Sequence, residues 1–360
     1  MSKGLFERMF EFALASGTAA IRLLPPELAH AVGMRLVATP VLWDWTSDWV
    51  RLHAKLDLSC DVPGLGVLEH PIGLAAGFDK DCDCPAGFRK LGFSFVEIGT
   101  VTPRPQPGNP SPRLFRMRDA HALINRMGFN GVGMAKVSAR LRAIGWNHDV
   151  APLGVNIGKN KLTKEEDAIG DYLALVAEFA PHSRYLVVNI SSPNTPGLRG
   201  FANEHFVRDL FSQLSPEQRC KTWVKLDPDL PREAFQRVVA ALVDCRAAGV
   251  VLTNTHRVER PYAGGQSGHP LLVASTARLE WAWEVHRGML PMIGVGGIFS
   301  GADVFQKLIR GASAVQIYSA LVYGGPLTVK RILSELEWEM ELAGFRSVRE
   351  CVGSFYAGRC

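Results

Sequence analysis

Apolar runs along this chain repeatedly end in residues that can do chemistry. Asp79 and Lys80 follow the first run, and Gly99-Thr100 the second. Asn156 closes the third, Asn189 the fourth and Lys225 the fifth. Thr253-Asn254-Thr255 follow the sixth, Gly294-Val295-Gly296-Gly297 the seventh, and Tyr318-Ser319 the eighth. Two lysines and several amides exceed what packing requires. An amide offers a donor and an acceptor side by side, so the set suits a ligand with amide-like edges and at least one negative charge. The glycines at 294–297 lead to Ser300-Gly301, where a helix is expected to open. Glycine lets backbone come close to a phosphate, and a helix N-terminus adds N–H donors and positive potential. A tight turn without a ligand has the same composition.

The stretch from Asn189 to Arg199 is denser still, with Ser191, Ser192, Pro193, Asn194 and Pro196 crowded together. Asx and Ser caps of a turn-rich loop account for it equally well. A serine alkoxide is a very strong base, so a serine removes a proton only with help. Burial, a water relay and a substrate whose acidity rises as hydride leaves would supply that help.

The elements that must position these residues have one rhythm from residue 72 onward. Strands are expected at Ile72–Ala76, Phe95–Ile98, Leu153–Ile157, Tyr185–Ile190, Thr222–Leu226, Val250–Thr253, Met292–Val295 and Ala314–Ile317. Several are uniformly apolar, as parallel strands buried on both faces are. Helical patterns lie between them at Lys164–Phe179, Arg232–Ala247, Thr276–Arg287 and Ala302–Arg310, and a last one spans Thr328–Leu342 with Thr328 as its cap. Repeated strand–helix units with no break between them predict an α/β fold, a (β/α)₈ TIM barrel; a doubly wound open sheet is the rival. In a barrel the strand C-termini share one mouth, which would bring the residues named above together. Leu56–Leu68, with its Pro63-Gly64 turn, is expected to plug the opposite end as a hairpin.

The chain has 360 residues, 47% of them hydrophobic and 21% charged, with a formal charge of +5. That is globular usage, and so small a basic excess without a basic block argues against nucleic acid as a partner. Seven scattered cysteines without a secretory signal read as reduced thiols. A spanning helix needs about 20 consecutive apolar residues, and charges interrupt every candidate. Residues 1–50 stand apart. Phe6, Met9, Phe10 and Ala13 share a helical face, Pro25-Pro26 ends that helix, and a second begins near Glu27. Trp43, Trp45 and Trp49 follow. Two amphipathic helices and a tryptophan cluster fit a module lying in a bilayer interface, or a helical pair packed on its own domain. The expected division is therefore 1–50 and 51–360.

The motifs resemble those of the dihydroorotate dehydrogenases, and within them the membrane-associated, quinone-dependent class. The resemblance rests on Gly73–Lys80, Phe95–Pro103, Gly108-Asn109-Pro110, Pro112–Arg116, Ile124–Asn130, the Asn189–Arg199 loop, Thr253–Thr255, Ser267-Gly268, Ile293–Ile298 and Val315–Ser319. It implies FMN across the barrel mouth, its phosphate held by Gly268, Gly296, Gly297, Tyr318 and Ser319. Ala76, Gly77, Lys80 and Thr100 would approach the flavin ring. Asn156, Asn189 and Thr253 would bond its polar edge or ribityl chain, with Lys225 at the pyrimidine end. Dihydroorotate would lie over the flavin, its charge balanced by Lys80. Asn125, Asn189, Asn194, Asn254 and Thr255 would read its ring beside Met127, Gly128 and Phe129. Ser192 would take the C5 proton as C6 gives up hydride.

Soluble relatives carry a cysteine as base, and this loop has none. Leu24-Pro25-Pro26-Glu27-Leu28-Ala29-His30 also fits the quinone class. The resemblance implies a quinone tunnel in residues 1–50, lined by His30 and Arg116, and a monomer resting on the cytoplasmic face of the inner membrane. It implies orotate production for pyrimidine synthesis and no metal. The chain departs from the pattern at Cys82 and Cys84, at Asp227 beside Lys225, and in a short 256–265 loop. Those departures leave open a related FMN barrel acting on another cyclic amide or ene substrate. A non-catalytic flavin- or membrane-binding protein would not need Lys80, Ser192, Asn194 and Lys225 together.

Overall fold

A computed structural model of the chain describes residues 3–39, 52, 54–149, 151–192, 200 and 202–357. Strands β3 (Ile72–Leu74), β4 (Phe95–Val101), β7 (Leu153–Ile157), β8 (Tyr185–Asn189), β9 (Thr222–Leu226), β10 (Gly249–Leu252), β13 (Met292–Val295) and β14 (Ala314–Ile317) close into a parallel barrel. Closure removes the open-sheet alternative: β14 pairs with β3 through Val315↔Ile72, and β9 with β10 through Val250↔Val224. β4, β7, β8 and β9 are buried along their whole length, which is why they read as largely apolar runs, interrupted where Glu97, Asn156 or Lys225 faces the interior or Asn189 ends the strand.

The barrel is filled, not hollow. Phe95, Tyr185 and Trp223 stack edge to face across its floor, with centroids 6.5 and 6.3 Å apart. Their room comes from glycines on neighbouring strands. A Cβ at Gly73 would lie 2.3 Å from the Phe95 ring, and one at Gly154 would lie 2.2 Å from that of Tyr185. Below this floor, β1 (Cys60–Val62) and β2 (Gly66–Leu68) form the expected hairpin. Its Gly64 turn sits against Trp223 and Ala248, at the strand N-termini.

A second sheet was not foreseen. β5 (Leu114–Met117), β6 (Ala122–Asn125), β11 (His256–Val258) and β12 (Gly264–Gly268) form a four-stranded antiparallel layer beside the mouth. It joins residues 140 positions apart, such as Asn125 and Gly265. The short 256–265 loop is thus largely a hairpin.

Helix boundaries shift where local chemistry differs from expectation. The helix expected from Lys164 runs Ala168–Phe179, that expected from Thr276 runs Leu272–His286, and that expected to reach Ala247 runs Arg232–Asp244. The last helix does span Thr328–Leu342, but Thr328 does not cap it. Its Oγ1 donates to the Gly325 carbonyl at 2.7 Å, a bond of the preceding turn.

Helices α1 (Lys3–Ile21) and α2 (Pro26–Val37) lie against the barrel's rim. α2 is pinned by Glu27, which accepts from Arg113 Nε at 2.8 Å and Ser111 Oγ at 2.9 Å. Arg22 donates to the Tyr323 carbonyl at 2.8 Å and fixes the turn between the two helices. Trp43, Trp45, Trp49 and the division after residue 50 lie outside the described residues. Among those described, no helix is long and apolar enough to cross a membrane.

Candidate active site

The C-terminal ends of the barrel strands open into a cavity of about 420 Å³. Of the residues expected there, Ala76, Gly77, Lys80, Thr100, Asn125, Met127, Gly128, Phe129, Asn189, Ser192, Lys225, Thr253, Asn254, Thr255, Gly268, Gly296, Gly297, Tyr318 and Ser319 all line it. Asn194 lies outside the described residues.

Asn156 is not among the lining residues. It is fully buried one layer down, where both ends of its amide are engaged. Its Nδ2 donates to Glu97 Oε1 at 2.8 Å, while its Oδ1 accepts from Thr100 Oγ1 at 2.6 Å and from Asn189 Nδ2 at 3.1 Å. Asn156 therefore orients Thr100 and Asn189 from beneath. Glu97 is the hub of this layer, and sequence reasoning missed it because an acidic residue inside an apolar strand carries no local signature. It also accepts from Gln316 Nε2 at 2.6 Å. Gln316 lines the cavity, and its buried Oε1 has no partner among the described residues. An orphaned acceptor on a ligand-facing wall costs stability unless a ligand N–H meets it.

Lys225 is 5% exposed and stands in the same interior layer. Burial holds its ammonium below the usual lysine range, and the carboxylate opposing that shift is Glu97. Asp227 instead faces its own turn, accepting the Asp229 N–H at 2.8 Å, and its charge acts on Arg278. At the opposite rim Lys80 Nζ donates to Asn130 Oδ1 at 2.9 Å. Burial lowers it to about 8, helped by the charge of Arg113 and opposed by Asp81 and Glu27. Ser192 is 6% exposed at the end of β8. Beside it Asn254 Nδ2 donates to Ser191 Oγ at 2.9 Å and Asn189 Oδ1 at 3.3 Å. The amides thus form one cross-braced rim.

The wall from β12 to the end of β13 is built of glycine. Gly268, Gly296 and Gly297 all have positive φ, at 100°, 115° and 77°. A Cβ at Gly297 would stand 2.3 Å from Leu272 Cα, so only glycine fits this turn. The helix Gly301–Ile309 does not supply the expected N–H donors, because its N-terminus is already capped. Ser300 Oγ takes the Asp303 N–H, Asp303 takes those of Phe299 and Ser300, and Glu335 takes that of Gly301. Any phosphate here is left to the glycine backbone and to Ser319, whose Oγ lies 3.0 Å from Ser267 Oγ.

A second, apolar cavity of about 220 Å³ lies under α1 and α2, lined by Leu14, Gly17, Gly33, Val37, Leu321 and Val322 among others. His30, Phe78, Leu114, Leu123 and Tyr318 face both cavities. Phe78 packs between His30 and Tyr318, with centroids 5.3 and 5.0 Å away. Burial, with Lys80's charge adding to it, lowers His30 to about 4, so its ring is neutral near pH 7. Arg116 lines the apolar cavity too, donating to the Arg22 carbonyl at 2.6 Å. Cys82 and Cys84 are buried free thiols, pushed well up by burial and by the neighbouring aspartates. Among the described residues, no group of three or more His, Cys, Asp or Glu is placed to hold a metal ion.

The chain is similar to known proteins over most of its length. Residues 58–340 match the dihydroorotate dehydrogenase family. A dihydroorotate dehydrogenase (quinone) of Myxococcus xanthus is 46% identical over 349 residues, covering 92% of this chain and 94% of the relative. The mitochondrial dihydroorotate dehydrogenase (quinone) of Mus musculus is 39% identical over 354 residues, covering 92% and 87%. The crystal structure of DHODH from Eimeria tenella in complex with ferulenol superimposes with a TM-score of 0.82 at 33% identity, covering 92% and 96%. The chain belongs to the dihydroorotate dehydrogenase family, in its quinone class.

Proposed function

We propose that this protein oxidises (S)-dihydroorotate to orotate with FMN and passes the electrons to a membrane quinone, in pyrimidine synthesis. The observation that carries this reading is the pair of adjoining cavities. One is polar, glycine-walled and lysine-bearing; the other is apolar and roofed by α1 and α2, and they share His30, Phe78 and Tyr318.

The residues present fit FMN. Gly268, Gly296, Gly297, Tyr318 and Ser319 would hold its phosphate. Ala76, Gly77, Thr100, Asn189, Thr253 and the orphaned Gln316 Oε1 would meet its ring and chain, with Asn156 bracing from below. When bound, FMN supplies a two-electron acceptor for hydride. Lys225 keeps an ammonium in a dry layer, where it favours negative charge gained above it. Lys80 balances the substrate carboxylate. Asn125, Asn194, Asn254 and Thr255 orient the ring's carbonyls and N–H groups, beside Met127, Gly128 and Phe129. Ser192 Oγ takes the C5 proton, and loss of hydride from C6 completes the C5–C6 double bond. Quinone enters through the apolar cavity past His30 and Arg116. Residues 1–50 form a lid resting on the cytoplasmic face of the inner membrane, residues 51–360 form the catalytic domain, and the monomer suffices.

Anaerobic addition of dihydroorotate should bleach the purified flavoprotein, and a quinone analogue should restore its colour. A flavin that stays oxidised under dihydroorotate but bleaches with another cyclic amide rejects the substrate assigned here.

A further inference from the structure

Lys307 is a buried amine that the chemistry above does not use, lowered by burial to about 7. It sits on the helix Gly301–Ile309 with no exposed surface, and among the described residues no carboxylate ion-pairs with it. Nζ donates instead to Ser275 Oγ at 2.8 Å and Thr276 Oγ1 at 3.2 Å, both on the helix that precedes β13. Ser275 Oγ donates in turn to the Gly296 carbonyl at 2.8 Å, closer than its other acceptor, the Leu272 carbonyl at 3.1 Å. With Lys307 filling a lone pair on the serine oxygen, the hydroxyl proton is directed to a carbonyl. The lysine stem passes behind β13, its Cδ 3.1 Å from where a Cβ on Gly294 would stand.

An ammonium buried against two hydroxyls is costly unless negative charge lies nearby. Asp303 acts on it through space, but Asp303 Oδ2 is occupied by the Phe299 and Ser300 N–H groups. The cavity-facing side of Gly296-Gly297 is where an anion would complete the charge balance.

We propose that Lys307 is a positioning residue for the FMN phosphate. Through Ser275 it draws the Gly296 carbonyl toward the helix, leaving the glycine turn to receive the phosphate, and it sets a positive charge behind that turn. This rests on the FMN reading above.

The test separates phosphate from ring. Apoprotein of the full chain is titrated with FMN and with riboflavin, which shares the ring and lacks the phosphate, following flavin fluorescence. Lys307→Met is expected to lower FMN affinity about tenfold or more while riboflavin affinity stays within about twofold of the parent. Ser275→Ala keeps the charge and breaks the relay. It should weaken FMN alone by several-fold, and it carries the test if Lys307→Met does not fold. Equal losses for both flavins, or no loss of FMN affinity in either variant, overturn the proposal. A parent protein that binds the two flavins equally well removes the FMN reading itself, which distinguishes that failure from one at Lys307.

Discussion

The residues that decide this chemistry are few, and their environments make them testable one at a time. Ser192 is buried at the end of β8 beside the braced amides Asn189 and Asn254. Ser192→Ala is expected to lower turnover by about 10²-fold or more, with FMN content unchanged. Single-turnover flavin bleaching measures it, and an unaltered rate would remove Ser192 as the base. Lys80 gives a pH signature. Burial and Arg113 lower it to about 8, so its charge is present below that pH and lost above it. Affinity for the orotate anion should hold below pH 8 and fall by up to about tenfold per unit above it, provided only the ammonium form binds. Absorbance titrations across pH would show the bend, and Lys80→Met should abolish it. Most of this site was legible from residue types at strand ends, because a barrel converts eight distant termini into one rim. The bonds that hold Asn156 to Glu97, Thr100 and Asn189 were not legible, since strand position alone does not say which neighbours an amide meets. Glu97 and Gln316 were passed over because their meaning depends on partners up to 219 positions away.

At the scale of elements, uniform apolar runs marked the barrel strands well, whereas the antiparallel layer went unseen. β12 reads Gly-Gly-Gln-Ser-Gly, with neither alternation nor β-branched residues, and exists because β6 pairs with it. Strand propensity is weak evidence where long-range pairing decides. α1 and α2 were legible from their apolar spacing, but not the cavity they enclose. Gly17 and Gly33 line that cavity, and a Cβ on either would meet nothing within 4 Å. Gly33→Leu has room at the wall of the space assigned to quinone and is expected to narrow it while, by helix propensity, stabilising α2 by up to about 1 kcal/mol. The expected result is a several-fold loss in quinone-dependent turnover, with dihydroorotate still bleaching the flavin at the parent rate. Loss of both half-reactions together would mean that the apolar cavity is not a separate route.

For the molecule as a whole, the proposed function asks different surroundings of the two cavities. On that proposal the polar one would take an anion from water, whereas the apolar one would be filled from a medium in which a quinone dissolves. Among the described residues no helix is long and apolar enough to cross a membrane, and the proposal therefore assigns contact with that medium to the protein's surface. Met9, Phe12, Leu23, Leu28 and Leu36 are exposed on α1, α2 and the turn between them, Phe12 at 75% and Leu23 at 74%. These are the elements that roof the apolar cavity, so insertion of their outer face would set that cavity against lipid. Burying a Phe or Leu side chain contributes about 2 kcal/mol, so losing two should weaken membrane partitioning by roughly a hundredfold or more. The double substitution Phe12→Asp, Leu23→Asp should abolish co-sedimentation with anionic phospholipid vesicles. Because both side chains already face outward, it should spare dihydroorotate-driven bleaching and the reduction of a water-soluble quinone analogue. Turnover with a long-chain quinone confined to vesicles should fall in step with sedimentation. Retained vesicle binding would show that α1 and α2 do not supply the membrane contact. Parallel loss of the soluble-quinone activity would mean that the substitutions damaged the cavity itself.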